Sequence, residues 1–280
     1  MRLWHHISYA LCGAQLLLAT TPSNATENHI EIASLDYCSD QYVLAVAPRR
    51  SIASLSRDAD SVFSFFADET EGLPQNRGNL EEILHLRPTL LVRQWQGNPT
   101  MDRVLNKAGV TTIALPFSAT PDDALTSVLE FGSAIERADE ASAFVAKRKA
   151  MQAELAAAKP LGLKALYVTP SGFTAGTTTG VSDIIKSAGL ESITADYGLS
   201  GWGPLPLEAI VRQQPDVIIA SLFDLPRARS NWSLSGHPKI AALMEDVPVI
   251  NLPARFTACS TLFAIDAAYH IRQQAEAITR

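Results

Sequence analysis

The feature that most constrains this chain is a motif that occurs twice. Leu80-Glu81-Glu82-Ile83-Leu84, followed by Pro88 and Leu90-Leu91-Val92, is echoed by Leu207-Glu208-Ala209-Ile210-Val211, followed by Pro215 and Val217-Ile218-Ile219. In both copies a Glu lies seven residues before the Pro. A second echo follows each in the same order, Val110 to Pro116 and then Val247 to Pro253. Two matches in one order point to two lobes built on one helix-strand-helix-strand unit, and a unit present twice is too few for a solenoid.

The pattern around the repeats agrees. Apolar β-like runs at Glu31–Leu35, Ser51–Ser54, Thr89–Arg93, Val110–Leu115, Lys164–Thr169, Asp216–Ser221 and Pro248–Leu252 alternate with helical stretches, which predicts α/β lobes with mainly parallel sheets. Pro99 and Pro121 open helices, and Gly109 and Gly189 close them. Between the repeats, Arg137 to Lys159 contains no Gly or Pro and sets Ala141, Phe144, Val145, Met151 and Leu155 on one face. At ~1.5 Å per residue such a helix is roughly 35 Å long, enough to join one lobe to the other. The expected organisation is therefore a leader at 1–25, a first lobe at 26–136, a connecting helix at 137–159 and a second lobe at 160–280, with a ligand cleft between the lobes.

The leader reads as an export signal. Arg2 and two His precede an apolar run from Ile7 to Ala19, and Ser23-Asn24-Ala25 fits a small-x-small cleavage site. The run is about 13 residues against the roughly 20 that a bilayer requires, so cleavage after Ala25 and release into the periplasm are expected. Lipid attachment at Cys12 is disfavoured by the large residues in Tyr9-Ala10-Leu11. Cys38 and Cys259 then remain. An oxidising compartment allows them to pair, but an open cleft would hold them on opposing walls, and two free thiols are expected.

Several function classes are excluded or left without support. The charge sum, 23 basic against 29 acidic residues, gives −6, and no cationic cluster exceeds Lys147-Arg148-Lys149, so nucleic acid is not an expected partner. No Walker loop, Gly-x-Ser-x-Gly elbow, Gly-x-Gly-x-x-Gly fingerprint or His-Glu-x-x-His is present, so neither catalytic residues nor a cofactor are assigned. Gly176-Thr-Thr-Thr-Gly180 lacks the Lys of a phosphate cradle and reads as a turn before a capped helix. His29, His85, His237 and His270 are isolated, without metal-ligand spacing. What stands out is a set of aromatic and cationic residues on loop-like segments: Arg77 and Trp95 in the first lobe, Phe173, Trp202, Arg255 and Phe256 in the second. Placed where open α/β sheets bind ligands, they suit a bulky planar anionic guest.

These residues resemble the class III periplasmic binding proteins that serve ABC importers of iron-siderophores, haem and cobalamin. Ile32-Ala-Ser-Leu35 leading into Asp36-Tyr-Cys-Ser-Asp40 is similar to that family's first strand and helix, and Gly78 to Val92 carries its most specific signature. Phe173-Thr-Ala-Gly176, Ser187-Ala-Gly-Leu190 and Val247 to Phe256 resemble its second lobe. The resemblance implies two α/β lobes joined by one long helix, with a metal chelate held between them. It implies also that Glu81 and Glu208 dock to a permease dimer in the inner membrane and that the protein is a monomer and not an enzyme. Trp202 and Phe173 match aromatic contacts of a cobalamin binder, whereas Gln75 stands where such a binder has Trp and a hydroxamate binder has Arg. A direct metal-ion carrier and an exported enzyme using the same cleft are the alternatives.

Overall fold

The computed structural model describes residues 30–225, 238–259 and 261–279. The leader, His29 and His237 lie outside the described residues. All seven sequence-predicted strands form, each within two residues of its expected ends. They are β1 (Ile32–Ser34), β2 (Ile52–Ser56), β4 (Leu90–Arg93), β5 (Thr111–Ala114), β6 (Lys164–Val168), β10 (Val217–Ser221) and β11 (Val249–Leu252). Four further strands of two or three residues join them: β3 (Gln75–Asn76), β7 (Phe173–Ala175), β8 (Glu191–Ser192) and β9 (Trp202–Pro204).

The first sheet runs β3-β2-β1-β4-β5 and the second runs β11-β10-β6-β8, every pair in both being parallel. The duplicated motif explains the correspondence. Helix α2 (Leu80–Leu86), β4, α3 (Pro99–Lys107) and β5 in the first lobe match α7 (Leu207–Arg212), β10, α8 (Pro238–Asp246) and β11 in the second. The strands β4 and β10 are the hydrophobic runs of the first and second copies, buried on both faces, as parallel strands between helical layers must be. The other helices are α1 (Tyr37–Val46), α4 (Pro121–Ala134), α5 (Ala138–Ala157), α6 (Gly180–Ser187) and α9 (Ala264–Ile278).

Helix starts follow local chemistry. Pro99 and Pro121 occupy first-turn positions behind the caps Asn98 and Thr120, whose side chains accept from backbone N–H groups one turn on. Gly109 and Gly189 follow α3 and α6 at φ 85 and 81, the left-handed conformation that glycine takes without a Cβ penalty. The long helix α5 has 20 residues, about 30 Å at 1.5 Å each. It packs on α1 and α4 of the first lobe and on α9 of the second. Its buried face holds one residue that hydrophobic periodicity passes over. Arg148 lies between Ala141 and Leu155, is buried, and makes a two-pronged ion pair with Asp266 of α9 at 3.0 and 3.1 Å. Its guanidinium sits 3.5 Å from the Phe144 ring centroid, so a charge passes through this interface with both a carboxylate and an aromatic face to meet it.

The lobes are joined at a second place, and here the structure corrects the sequence reading. Cys38 and Cys259 are bridged, with Cα atoms 5.3 Å apart, within the range a disulfide requires. The free thiols expected across a wide cleft do not exist, because the segment after β11 does not stay on its own lobe. Leu262 and Phe263 pack into the first lobe's core with Ile32, Tyr42 and Phe131. Phe65 stacks on Phe263 at 3.9 Å and meets Phe256 edge-on at 5.6 Å, so one ring touches the cores of both lobes. Thr261 adds hydrogen bonds from its hydroxyl to the carbonyls of Ser118 and Thr120.

Candidate ligand cleft between the lobes

The first lobe's wall is organised by one buried carboxylate. Asp36 caps α1 by accepting from the Ser39 N–H at 2.9 Å, and its other oxygen accepts from the N–H groups of Gln94, Trp95 and Gln96 at 2.8, 3.2 and 3.3 Å. The loop after β4 is therefore tied to the start of the helix after β1. Trp95, on that loop, meets the ring of Tyr37 edge-on at 5.5 Å, and Tyr37 stacks on Phe63 at 5.5 Å. Burial pushes the Tyr37 hydroxyl up, with the carboxylates of Asp36 and Asp58 acting in the same direction, so it stays protonated at neutral pH. Trp95 remains 43% exposed, so this platform is fixed in place yet open to a guest.

The second lobe's wall is a two-stranded ribbon. β7 pairs antiparallel with β9, setting Phe173 opposite Pro204 and Ala175 opposite Trp202. Residues opposite each other, and those two apart along a strand, share a face, so Phe173 and Trp202 project to the same side. Both rings are exposed, Phe173 to 47% and Trp202 to 57%. Trp202 rests edge-on against the buried Tyr167 at 5.9 Å. The loop of Gly176 and the three threonines anchors the ribbon. Gly176, Thr177 and Thr178 donate backbone N–H bonds to the carbonyls of Gly201, Leu199 and Ser200, and Thr179 caps α6. A Cβ at Gly176 would stand 2.6 Å from the Gly201 carbonyl, so this position requires glycine. The stretch is a turn before a capped helix, as its missing Lys suggested.

Among the described residues, two cavities take lining from both lobes. The larger, about 1110 Å³, is bounded by Ser118–Pro121 of the first lobe, by α5, α6 and α9, and by Trp202. The smaller, about 320 Å³, lies between Asp60–Ala67 of the first lobe and Asp224, Pro253 and Arg255 of the second. The structure thus places the sequence-predicted residues unequally. Trp202 borders the large cavity and Arg255 the small one. Trp95 and Phe173 are exposed rings on the two walls, and Arg77 is an exposed residue before α2 whose backbone N–H donates to Glu82. Phe256 is buried, stacked on His270 and edge-on to Phe65, and so belongs to the joint between the lobes. Sequence reasoning passed over Tyr37 and Phe63. The available signal for Tyr37 was its position directly after β1, where open parallel sheets meet ligands.

Glu81 and Glu208 are exposed in the first turns of α2 and α7, equivalent positions of the repeat. Among the described residues, no group of three or more His, Cys, Asp or Glu side chains could hold a metal ion.

Comparison with known proteins agrees with this architecture. Two proteins of Halobacterium salinarum, each named cobalamin-binding protein, are 29% identical over 150 residues, which is 51% of this chain and 40% of theirs, so the match spans about two fifths of those relatives. Among solved structures, the periplasmic heme-binding protein HutB of Vibrio cholerae superposes with a TM-score of 0.69 at 19% identity, covering 88% of this chain and 98% of that one. The periplasmic heme-binding protein RhuT of Roseiflexus superposes with a TM-score of 0.64 at 19% identity, covering 90% and 99%. At these identities the likeness is one of fold. A family profile described as periplasmic binding protein matches residues 32–231, and the chain is a member of that family of solute-binding proteins, which are not enzymes.

Proposed function

We propose that this protein is an exported receptor that captures a metal chelate between its lobes and delivers it to the permease of an ABC importer. The observation that carries the reading is the pair of exposed aromatic walls, Trp95 on the first lobe and Phe173 with Trp202 on the second, and Trp202 also borders a cavity of about 1110 Å³. Exposed Trp and Phe rings on both lobes supply stacking surface for a large flat guest, and uncovered apolar rings of this size cost free energy unless something covers them. The relatives named for cobalamin and the structural neighbours named for heme are the reason to try corrinoids and haem beside ferric siderophores. Export rests on the sequence of residues 1–25 and on the family's compartment.

Delivery is assigned to Glu81 and Glu208. A pseudo-symmetric pair of exposed carboxylates, one per lobe, suits a dimeric permease with one cationic pocket per subunit. Arg77, exposed before α2, and Arg255, beside the smaller cavity, would meet the guest's anionic groups. The test is titration of intrinsic Trp fluorescence with haemin, hydroxocobalamin and a ferric hydroxamate, followed by recovery of each compound. Saturable quenching with the compound returned unchanged is expected. Chemical conversion of the compound would instead favour an enzyme.

A further inference from the structure

One more exposed ring belongs to the first lobe, and the walls described above leave it out. Among the described residues Phe117 is the most exposed large apolar side chain, at 68%. A single apolar residue on a surface is ordinary, so its surroundings decide what it does. β5 runs beside β4 with Ala114 opposite Arg93, and the Leu115 N–H carries the pairing on by donating to the Arg93 carbonyl at 2.8 Å. The segments Gln94-Trp95 and Pro116-Phe117 therefore leave neighbouring strands at the same end of the sheet. The buried side-chain amide of Gln94 joins them by donating to the Pro116 carbonyl at 2.9 Å. On the other side of Phe117, Ser118 is buried and its carbonyl accepts from the Thr261 hydroxyl at 3.2 Å. Ser118–Pro121 then border the large cavity, as Trp202 does from the second lobe.

We propose that Phe117 is a further contact for the guest, continuing the first lobe's platform from Trp95 toward the cavity edge that Trp202 shares, and that it selects a broad macrocyclic chelate over a compact one. This rests on the receptor reading and names the class of ligand that it takes. A compact guest can lie against Trp95 or against Trp202 alone and leave Phe117 in water. A flat macrocycle that touches both walls covers the segment between them, and the Phe117 ring is the apolar surface it meets there. The backbone is hydrogen-bonded at both neighbouring residues, so the ring is presented from an ordered loop and little ordering remains to be done on binding. A contact for the permease or for a second copy has no use for the tie to the loop of Trp95, whereas a guest lying on that loop does.

The test is calorimetric titration of the whole protein, of Phe117→Ala and of Phe117→Trp with haemin, hydroxocobalamin and a ferric hydroxamate. Phe117→Ala is expected to weaken whichever macrocycle binds by about fivefold or more, and Phe117→Trp to keep it within about twofold, because the second variant restores a flat aromatic face. Binding of the hydroxamate should change by less than about twofold in either variant, since a compact guest does not reach the ring. Unfolding midpoints should stay at the native value, as an exposed ring supports no core. Native macrocycle affinity in Phe117→Ala would overturn the proposal, and so would equal weakening of macrocycle and hydroxamate, or binding of the hydroxamate alone. Native affinity with reduced uptake would make Phe117 a permease contact, and self-association lost in Phe117→Ala would make it a contact between copies; either result overturns it. If none of the three compounds binds the native protein, the receptor reading itself fails and takes the inference with it.

Discussion

The floor of the cleft and its mouth are built from neighbouring residues to opposite ends. At the floor, Phe65, Phe256 and Phe263 bury their rings against one another, Cys38 is bonded to Cys259, and Arg148 is neutralised by Asp266. At the mouth, Trp95, Phe173 and Trp202 hold comparable rings in the open. Helix α1 serves both, with Tyr37 in the exposed aromatic platform and Cys38, one residue on, in the joint. The difference teaches that the lobes are fastened where they meet, so that capture relies on surfaces already in position and not on a wide hinge motion.

The largest effect expected concerns the floor. The disulfide closes a loop of 221 residues, for which the chain-entropy relation gives about 5 kcal/mol. Replacing both cysteines by serine should lower stability by that order in denaturant unfolding, while ligand affinity changes by less than about twofold because the mouth has its own supports. A loss of affinity as large as the loss of stability would break the separation of floor from mouth.

Next comes the buried ion pair. Burial pushes the Asp266 carboxyl up against the opposing pull of Arg148, so it relies on its partner to remain charged. Arg148→Ala leaves that carboxylate unpaired and should cost roughly 3–5 kcal/mol. A double change to Arg148→Met with Asp266→Leu should recover most of it, since it removes both charges and keeps the packing. Unfolding midpoints of the native protein and the two variants would show whether the pair holds the lobes or merely crosses between them.

A smaller effect lies under the platform, in α1 itself. Burial pushes Asp40 up to about 7, although Ser34 and both the N–H and hydroxyl of Ser56 donate to it. The folded protein therefore keeps this proton where the unfolded chain, at about 3.8, has lost it. Its contribution to stability is complete below pH 4 and is lost as pH rises through 7, at roughly 1.4 kcal/mol per unit. Asp40→Asn should flatten that slope in unfolding curves taken between pH 4 and 7, and leave binding at the mouth unchanged.

What could be read in advance follows from the range of the interactions. The seven expected strands, each set in an apolar β-like run of four or more residues, the proline-opened helices and the repeated unit show locally, because apolar periodicity and turn residues are local signals. The strands β7 and β9, three residues each, are too short to carry a period, so the ribbon that aligns Phe173 with Trp202 was visible only as two separate rings. Arg148 hid for the converse reason, since a charged residue breaks the apolar count of the face it occupies and its partner lies 118 residues away. The disulfide was misjudged because nothing near Cys259 in sequence announces that Leu262 and Phe263 enter the other lobe's core. The individual aromatic candidates were legible, and which of them stand in the open was not.

The most direct measurement is a calorimetric titration of the native protein and of Trp202→Ala with whichever chelate quenches the tryptophans. Loss of one large stacked ring amounts to roughly 1–3 kcal/mol. The account predicts one site per chain in the native protein, about tenfold or more weaker binding in the variant, and the same unfolding midpoint for both, because an exposed ring at the mouth supports no part of the floor. A folded variant that binds with native affinity would contradict it.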